Sequence, residues 1–124
     1  MTKLLHRING GTVYLRNGDH QDFTEINFRG RLVVLDGAMI DSAKVNDGGQ
    51  CRIESGGWAG SIEAEKNCVV IIRKGARVGH LTSVDGSNVT IEAGSTVDAF
   101  VQHGGHVTIV DDRSIKSHTY LELC

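Results

Sequence analysis

A glycine recurs at a constant interval along this chain of 124 residues, and that period constrains the fold more than any other feature. The glycines are Gly18, Gly37, Gly56, Gly75 and Gly94. An aliphatic residue stands three positions before each glycine, and four of the five residues three positions after it are apolar. A fixed period of this kind is typical of stacked units, because one unit cannot bury its apolar face alone.

Each unit contains short segments in which alternate residues are apolar, such as Cys51-Arg52-Ile53 and Val89-Thr90-Ile91. This alternation indicates β-strands with one face turned inward. Glycines also precede many of these segments, and glycine reaches the positive φ of a tight corner without steric cost. Proline is absent from the chain, as expected if the strands lie inside continuous hydrogen-bonded ladders.

A third side of the unit is indicated by residue pairs in which one member is large and the other small. These pairs are Thr24/Ile26, Ala43/Val45, Ile62/Ala64, Leu81/Ser83 and Ala99/Val101. The last pair aligns only if one residue is missing just before Ala99. The pattern therefore predicts a shortened unit at that point.

Together these features predict an all-β, right-handed parallel β-helix that forms a single domain over residues 1–124. About six coils, each one turn of 18–19 residues, cover residues 10–115, with end segments at 1–9 and 116–124. Coils stacked about 4.8 Å apart would form a rod roughly 30 Å long. A helical repeat lacks the necessary apolar stripe. A left-handed hexapeptide helix would place Glu65 and Arg77 in the interior.

Composition limits the function. A net charge of −2 gives no basic field, so nucleic-acid binding is not expected. No apolar stretch is long enough for a signal peptide or a membrane span. Three cysteines, an odd number, favour a reducing, cytoplasmic environment over a disulfide framework.

Residues 60–101, GSIEAEKNCVVIIRKGARVGHLTSVDGSNVTIEAGSTVDAFV, resemble the bactofilins, bacterial cytoskeletal proteins built on a right-handed β-helix. The shared pattern is V-x-I-x-x-G-A-x-V, matched by Val70, Ile72, Gly75, Ala76 and Val78 and again by Val89, Ile91, Gly94, Ser95 and Val97. The resemblance implies a structural protein that self-associates. Residues 48–64, GGQCRIESGGWAGSIEA, are similar to the 19-residue repeats of autotransporter adhesins.

Two groups of polar residues have side chains of the types found in chemical sites. His103 and His106, stacked over Asp85, have the residue types of a zinc or nickel site, but a polar corner whose side chains hydrogen-bond along the stack is the favoured explanation. Asp22, Asp41 and Asp98 share one outward position, which is compatible with a lyase-type site or with a solvated edge. The solvated reading is favoured for both groups, and we expect no catalytic residue, metal or cofactor.

The predicted interaction residues are apolar side chains on the outside of the rod or at its C-terminal end. They are Val33, Met39, Trp58, Ile71, Tyr120, Leu121 and Leu123. The ends of a β-solenoid also expose unpaired main-chain groups. The leading hypothesis is a non-enzymatic scaffold that self-associates through its ends or faces. The alternatives are a module that binds a protein or glycan and, third, a small carbohydrate-active enzyme.

Overall fold

The computed structural model describes residues 7–111, 113 and 115–120, which form a right-handed parallel β-helix. Two sheets run along the rod, one with seven strands and one with six. The six-stranded sheet contains β2 (Gly11–Leu15), β4 (Gly30–Val34), β6 (Gln50–Ile53), β8 (Val69–Ile72), β10 (Asn88–Ile91) and β12 (His106–Ile109). The seven-stranded sheet contains β1 (Arg7–Ile8), β3 (His20–Ile26), β5 (Met39–Val45), β7 (Trp58–Ala64), β9 (Arg77–Val84), β11 (Thr96–His103) and β13 (His118–Tyr120).

Strand register follows the sequence period. Ile53 pairs with Ile72 in the next coil, which lies one full period further along the chain. Between the last two strands of the six-stranded sheet the offset is one position shorter, since Ile91 pairs with Ile109. The predicted stacking of equivalent residues is therefore confirmed. One unit is shorter than the others, but the shortening lies at a different place from the predicted one.

One apolar core runs along the axis of the rod. Its central members, such as Ile53, Ile62 and Ile72, have no exposed surface. The coil nearest the N-terminus places the amide side chain of Gln21 at a position that Ile40 fills in the following coil. Each inward position is thus a column of side chains that packs coil upon coil.

The recurring glycines form the corner that follows each of the first five strands of the six-stranded sheet, β2 to β10. Their φ angles lie between 80° and 90°, a region that side chains with a Cβ rarely adopt. The backbone ladder continues through this corner. Gly37 N–H donates to the carbonyl of Gly56 at 3.1 Å, and Gly56 N–H donates to that of Gly75 at 3.0 Å.

A second left-handed corner precedes each strand of the six-stranded sheet, and two of its residues are not glycine. Arg29 has a φ of 65° and Asn67 a φ of 62°. Next to this corner, Asn46 Nδ2 donates to Asn27 Oδ1 at 2.8 Å, and Asn27 Nδ2 donates to Asn9 Oδ1 at 2.7 Å. This asparagine ladder ties three coils together at the N-terminal end.

The predicted third side is continuous with the second in one bent strand. Two successive residues point outward at the bend, as Asp22 and Phe23 do in β3. Alternation between inward and outward side chains resumes after the bend, so that Thr24 and Ile26 are buried.

The prediction that one residue is missing before Ala99 is wrong. Phe100, not Ala99, pairs with Leu81 and is fully buried. The chain is shortened later, at the Gly104-Gly105 corner, because His103 pairs with Val84 whereas His106 pairs with Asn88. A phenylalanine buries more apolar surface than an alanine, which favours the observed register.

Candidate interaction surfaces

The inner columns of the β-helix come partly to the surface at both ends of the rod. In the column that begins at Val13, the interior members Leu32, Cys51, Val70 and Val89 are buried. The first and last members, Val13 and Val107, are only half-buried. Ile109 and Ile115 are half-buried at the C-terminal end as well. At each end, side chains of the core type therefore pack against a neighbouring coil on one side only.

Exposed large apolar side chains are also found at the ends. Among the described residues they are Tyr14, Phe23 and Phe28 in the first coil, with exposures of 51%, 40% and 64%, and Val110 in the last coil, with 62%. Soluble proteins tolerate single exposed apolar residues. Three aromatic side chains in one coil are more typical of a contact surface.

The edge strands lie at the same two ends. In the six-stranded sheet they are β2 and β12, and in the seven-stranded sheet they are β1 and β13. An edge strand offers one row of main-chain N–H and C=O groups for further pairing. Apolar side chains and an incomplete ladder therefore occur together at each end.

On the side of the rod, Val33 and Ile71 share one outward column but do not touch in register. Arg52 lies between them, because Val33 pairs with Arg52 and Arg52 pairs with Ile71. Val33 and Ile71 are both half-buried. The guanidinium of Arg52 lies 3.6 Å from Glu54, so this column is partly charged.

Met39 and Trp58 are neighbours, as the period predicts, and pair across adjacent coils. Both side chains are half-buried. A Cβ added at Gly60 would lie 3.4 Å from Cη2 of Trp58, which shows that the indole lies close to the glycine backbone. This contact explains why the indole is less exposed than the aromatic residues of the first coil.

Of the three predicted C-terminal interaction residues, only Tyr120 lies within the described part of the chain. Tyr120 is the last residue of β13 and pairs with Gln102. Leu121 and Leu123 lie outside the described residues. Their part in an interface stays a prediction.

His20, Asp22 and Asp41 form the one group within the described ranges that has three metal-ligand side chains within reach of each other. Nε2 of His20 lies 2.9 Å from Oδ1 of Asp41. The hydrogen bond to Asp41 raises the pKa of His20, loss of hydration opposes the rise, and the charges of Asp41 and Asp22 add to it. Arg77 and Asp98 have the same spacing in the chain as His20 and Asp41, and their charged atoms lie 3.2 Å apart. A surface ion pair between neighbouring coils therefore accounts for this geometry.

Substituting Asp41→Asn should lower the pKa of His20 toward its ordinary value of 6.5, because the main hydrogen-bonding anion is lost. The raised pKa means that the pair stabilises the fold at low pH, and that this contribution is lost as the pH rises through the pKa of the folded protein. An NMR titration of the His20 ring protons measures the change. Asp22→Asn is the control and should shift the pKa less; an equal or larger shift would contradict the assignment.

The other polar groups considered from sequence are dispersed. His106 pairs with Asn88 and His103 with Val84, and neither joins Asp85 in a three-ligand group. Asp98 pairs instead with Arg77 and with Lys116 at 3.7 Å. These contacts agree with a solvated, ion-paired surface.

A groove of about 430 Å³ lies beside the second corner near the N-terminal end. Arg29, Arg31, Thr12 and Gln50 line it, and Gly11, Gly30 and Gly48 form its remaining wall. Arg29 stacks over the ring of Phe28, 5.3 Å from the centroid. Two guanidinium groups beside a wall of glycine backbone suit a ligand that carries a carboxylate.

Cys51 and Cys68 are free thiols in the core. Burial raises the pKa of Cys51 to about 12 and that of Cys68 to about 11. The thiolate is the nucleophile in cysteine chemistry, so both residues act as small core side chains.

No protein-family model, curated protein or solved structure matches this chain. Within the described ranges, no helix has the length and apolar character needed to cross a bilayer. The structure itself shows that the chain is a parallel β-helix.

Proposed function

We propose that this protein is a non-enzymatic structural scaffold whose rods associate through their ends. The observation that supports this function is the distribution of exposed apolar groups. In the described part of the chain, the large apolar side chains that are most exposed belong to the first and last coils. The half-buried core residues Val13, Val107, Ile109 and Ile115 lie at the same ends.

Contact between two ends would repeat an interaction that the chain already makes internally. Each coil binds the next through in-register ladders, such as the one that pairs β6 with β8, and through continuous apolar columns. A second copy placed on an end would extend both. The resemblance to the cytoskeletal bactofilins supports the same role.

The substitution Val13→Glu should weaken self-association at least about tenfold, because each 1.4 kcal/mol corresponds to a factor of ten and burying an unpaired carboxylate costs more than this. In the free rod, position 13 is half-buried and its side chain can reach water. Analytical ultracentrifugation across a concentration series measures the dissociation constant.

Val33→Glu is the matched control, since Val33 is also half-buried but lies on the side of the rod. It should leave association unchanged. Thermal unfolding of both variants confirms that they fold. A wild-type protein that stays monomeric at tens of micromolar, or equal effects of the two variants, would contradict the proposal.

The groove at Arg29 and Arg31 supports a second candidate function, a module that binds a carboxylate-bearing partner. None of the ion pairs identified among the described residues involves either arginine. Arg31→Gln should reduce binding of polyglutamate or of polygalacturonate, and the two probes distinguish a peptide from a sugar ligand. Arg16→Gln, an exposed arginine outside the groove, is the control. Binding that is absent, or equally weakened by Arg16→Gln, would rule this candidate out.

A further inference from the structure

The two sheets contain different numbers of strands, and this difference determines how two copies can stack. The described residues provide seven strands to one sheet and six to the other. If identical rods continue head to tail with unbroken ladders, each copy must add the same number of strands to both sheets, because both share a spacing of about 4.8 Å. One strand of the seven-stranded sheet is therefore in excess.

The excess strand is β1. Without it, β2 to β13 supply six strands to each sheet of the described chain, and Ile115 bridges Val97 before β13 pairs with β11. β1 adds only part of a further coil, with Arg7 opposite Glu25 and Ile8 opposite Ile26.

The strands β1 and β13 occupy equivalent positions in the coil. Ile8 begins the column that continues through Ile26 and Val45. At the other end, Gln102 and Tyr120 occupy the same main-chain register position. When a second copy is stacked six coils further along, its β1 falls at the position that β13 of the first copy already fills.

We infer that head-to-tail association requires β1 to leave β3, so that β13 of the neighbouring copy can take its place. This inference rests on the proposed scaffold function. The partner is a second copy of this chain. Its β13 continues the ladder of β3, and the carbonyl of Tyr120 accepts the hydrogen bond from Asn27 N–H that Ile8 accepts in the free rod. In the free molecule β1 covers the N-terminal edge of the seven-stranded sheet.

Of the two competing strands, β1 makes fewer contacts to its own molecule. It has two registered pairs, the bond from Asn27 N–H to the carbonyl of Ile8 at 2.8 Å, and an ion pair of 3.7 Å between Arg7 and Glu25. The adjacent Asn9 accepts one further hydrogen bond, from Asn27 Nδ2 at 2.7 Å. Ile8 is its one buried side chain, with 3% exposure. By contrast, β13 has three registered pairs and follows the bridge at Ile115. Displacement of β1 therefore disrupts less structure.

Deletion of residues 2–9 tests this arrangement. In the full chain, only the fraction of molecules whose β1 has left β3 can bind a second copy, which weakens the apparent affinity. Removing β1 should therefore lower the dissociation constant for self-association at least about tenfold. Analytical ultracentrifugation of the full chain and the deletion variant gives both constants. If the full chain associates and the deletion variant associates no more tightly, the displacement of β1 is disproved while end association stands.

A reversible crosslink tests the same step without deleting residues. In a Cys124→Ser background, Arg7→Cys and Glu25→Cys place two thiols at registered positions on β1 and β3. The disulfide should abolish head-to-tail association, and reduction of the same sample should restore it. Association that is unaffected by the disulfide would overturn the inference. Absence of association in every form, the wild type included, would reject the proposed function with it.

Discussion

Replacing Phe100 with alanine should lower the free energy of unfolding by about 3–5 kcal/mol. The ring is fully buried and pairs with Leu81 in the preceding coil. Its removal leaves a cavity inside a column that the neighbouring coils cannot close without moving their ladders. Urea unfolding followed by far-UV circular dichroism measures the loss.

The control for this prediction is Val101→Ala, one residue further along the same strand. Val101 is half-buried and points outward. Its truncation to alanine should therefore lower the free energy of unfolding by less than about 1.5 kcal/mol, the lower end of the range for fully burying a valine side chain. A greater loss at Val101 than at Phe100 would show that β11 has the register first predicted from sequence, and not the one described.

Gly75→Val should also be severe, at about 3 kcal/mol or more, because a strained left-handed backbone alone costs about 1–3 kcal/mol. Gly75 has a φ of 83°, and branching at Cβ makes this region still less accessible. A Cβ at this position would also collide with Oγ of Ser55 in the preceding coil. Thermal and urea unfolding of the purified variant measure the effect.

Two alanine substitutions separate backbone strain from collision. Gly18 has a φ of 90°, and a Cβ added there meets no atom within 4 Å, so Gly18→Ala reports strain alone. Gly75→Ala adds the contact with Ser55 and should cost more. Near-wild-type stability of Gly75→Val would mean that the corner does not have the described conformation.

The stacking, the inner columns and the glycine corners could be predicted from sequence because a parallel in-register solenoid converts sequence spacing into spatial proximity. Ile53 and Ile72 are one period apart in the chain and adjacent in the ladder. The left-handed corner at Gly75 followed from the same period.

The register of β11 could not be predicted in this way. Ala99/Val101 and Phe100/Gln102 both have alternating spacing, and the shortened corner at Gly104-Gly105 leaves the alignment ambiguous. What decides the register is the volume available inside the coil, which the pattern of large and small residues does not specify.

The candidate surfaces also differ from the predicted ones for a physical reason. The exposure of an outward side chain depends on its neighbours along the rod. Trp58 has a neighbouring coil on both sides and lies close to Gly60. Tyr14 belongs to the first coil and pairs with Val33 on one side only. Diagonal pairs such as His20–Asp41 were missed because the spacing of their two residues in the chain differs from the period.

Electron microscopy of the purified protein at tens of micromolar tests the central claim most directly. End association predicts rods of constant width whose lengths are multiples of about 30 Å, from six coils at about 4.8 Å each. Single short rods at every concentration, or rafts of rods joined along their sides, would contradict it.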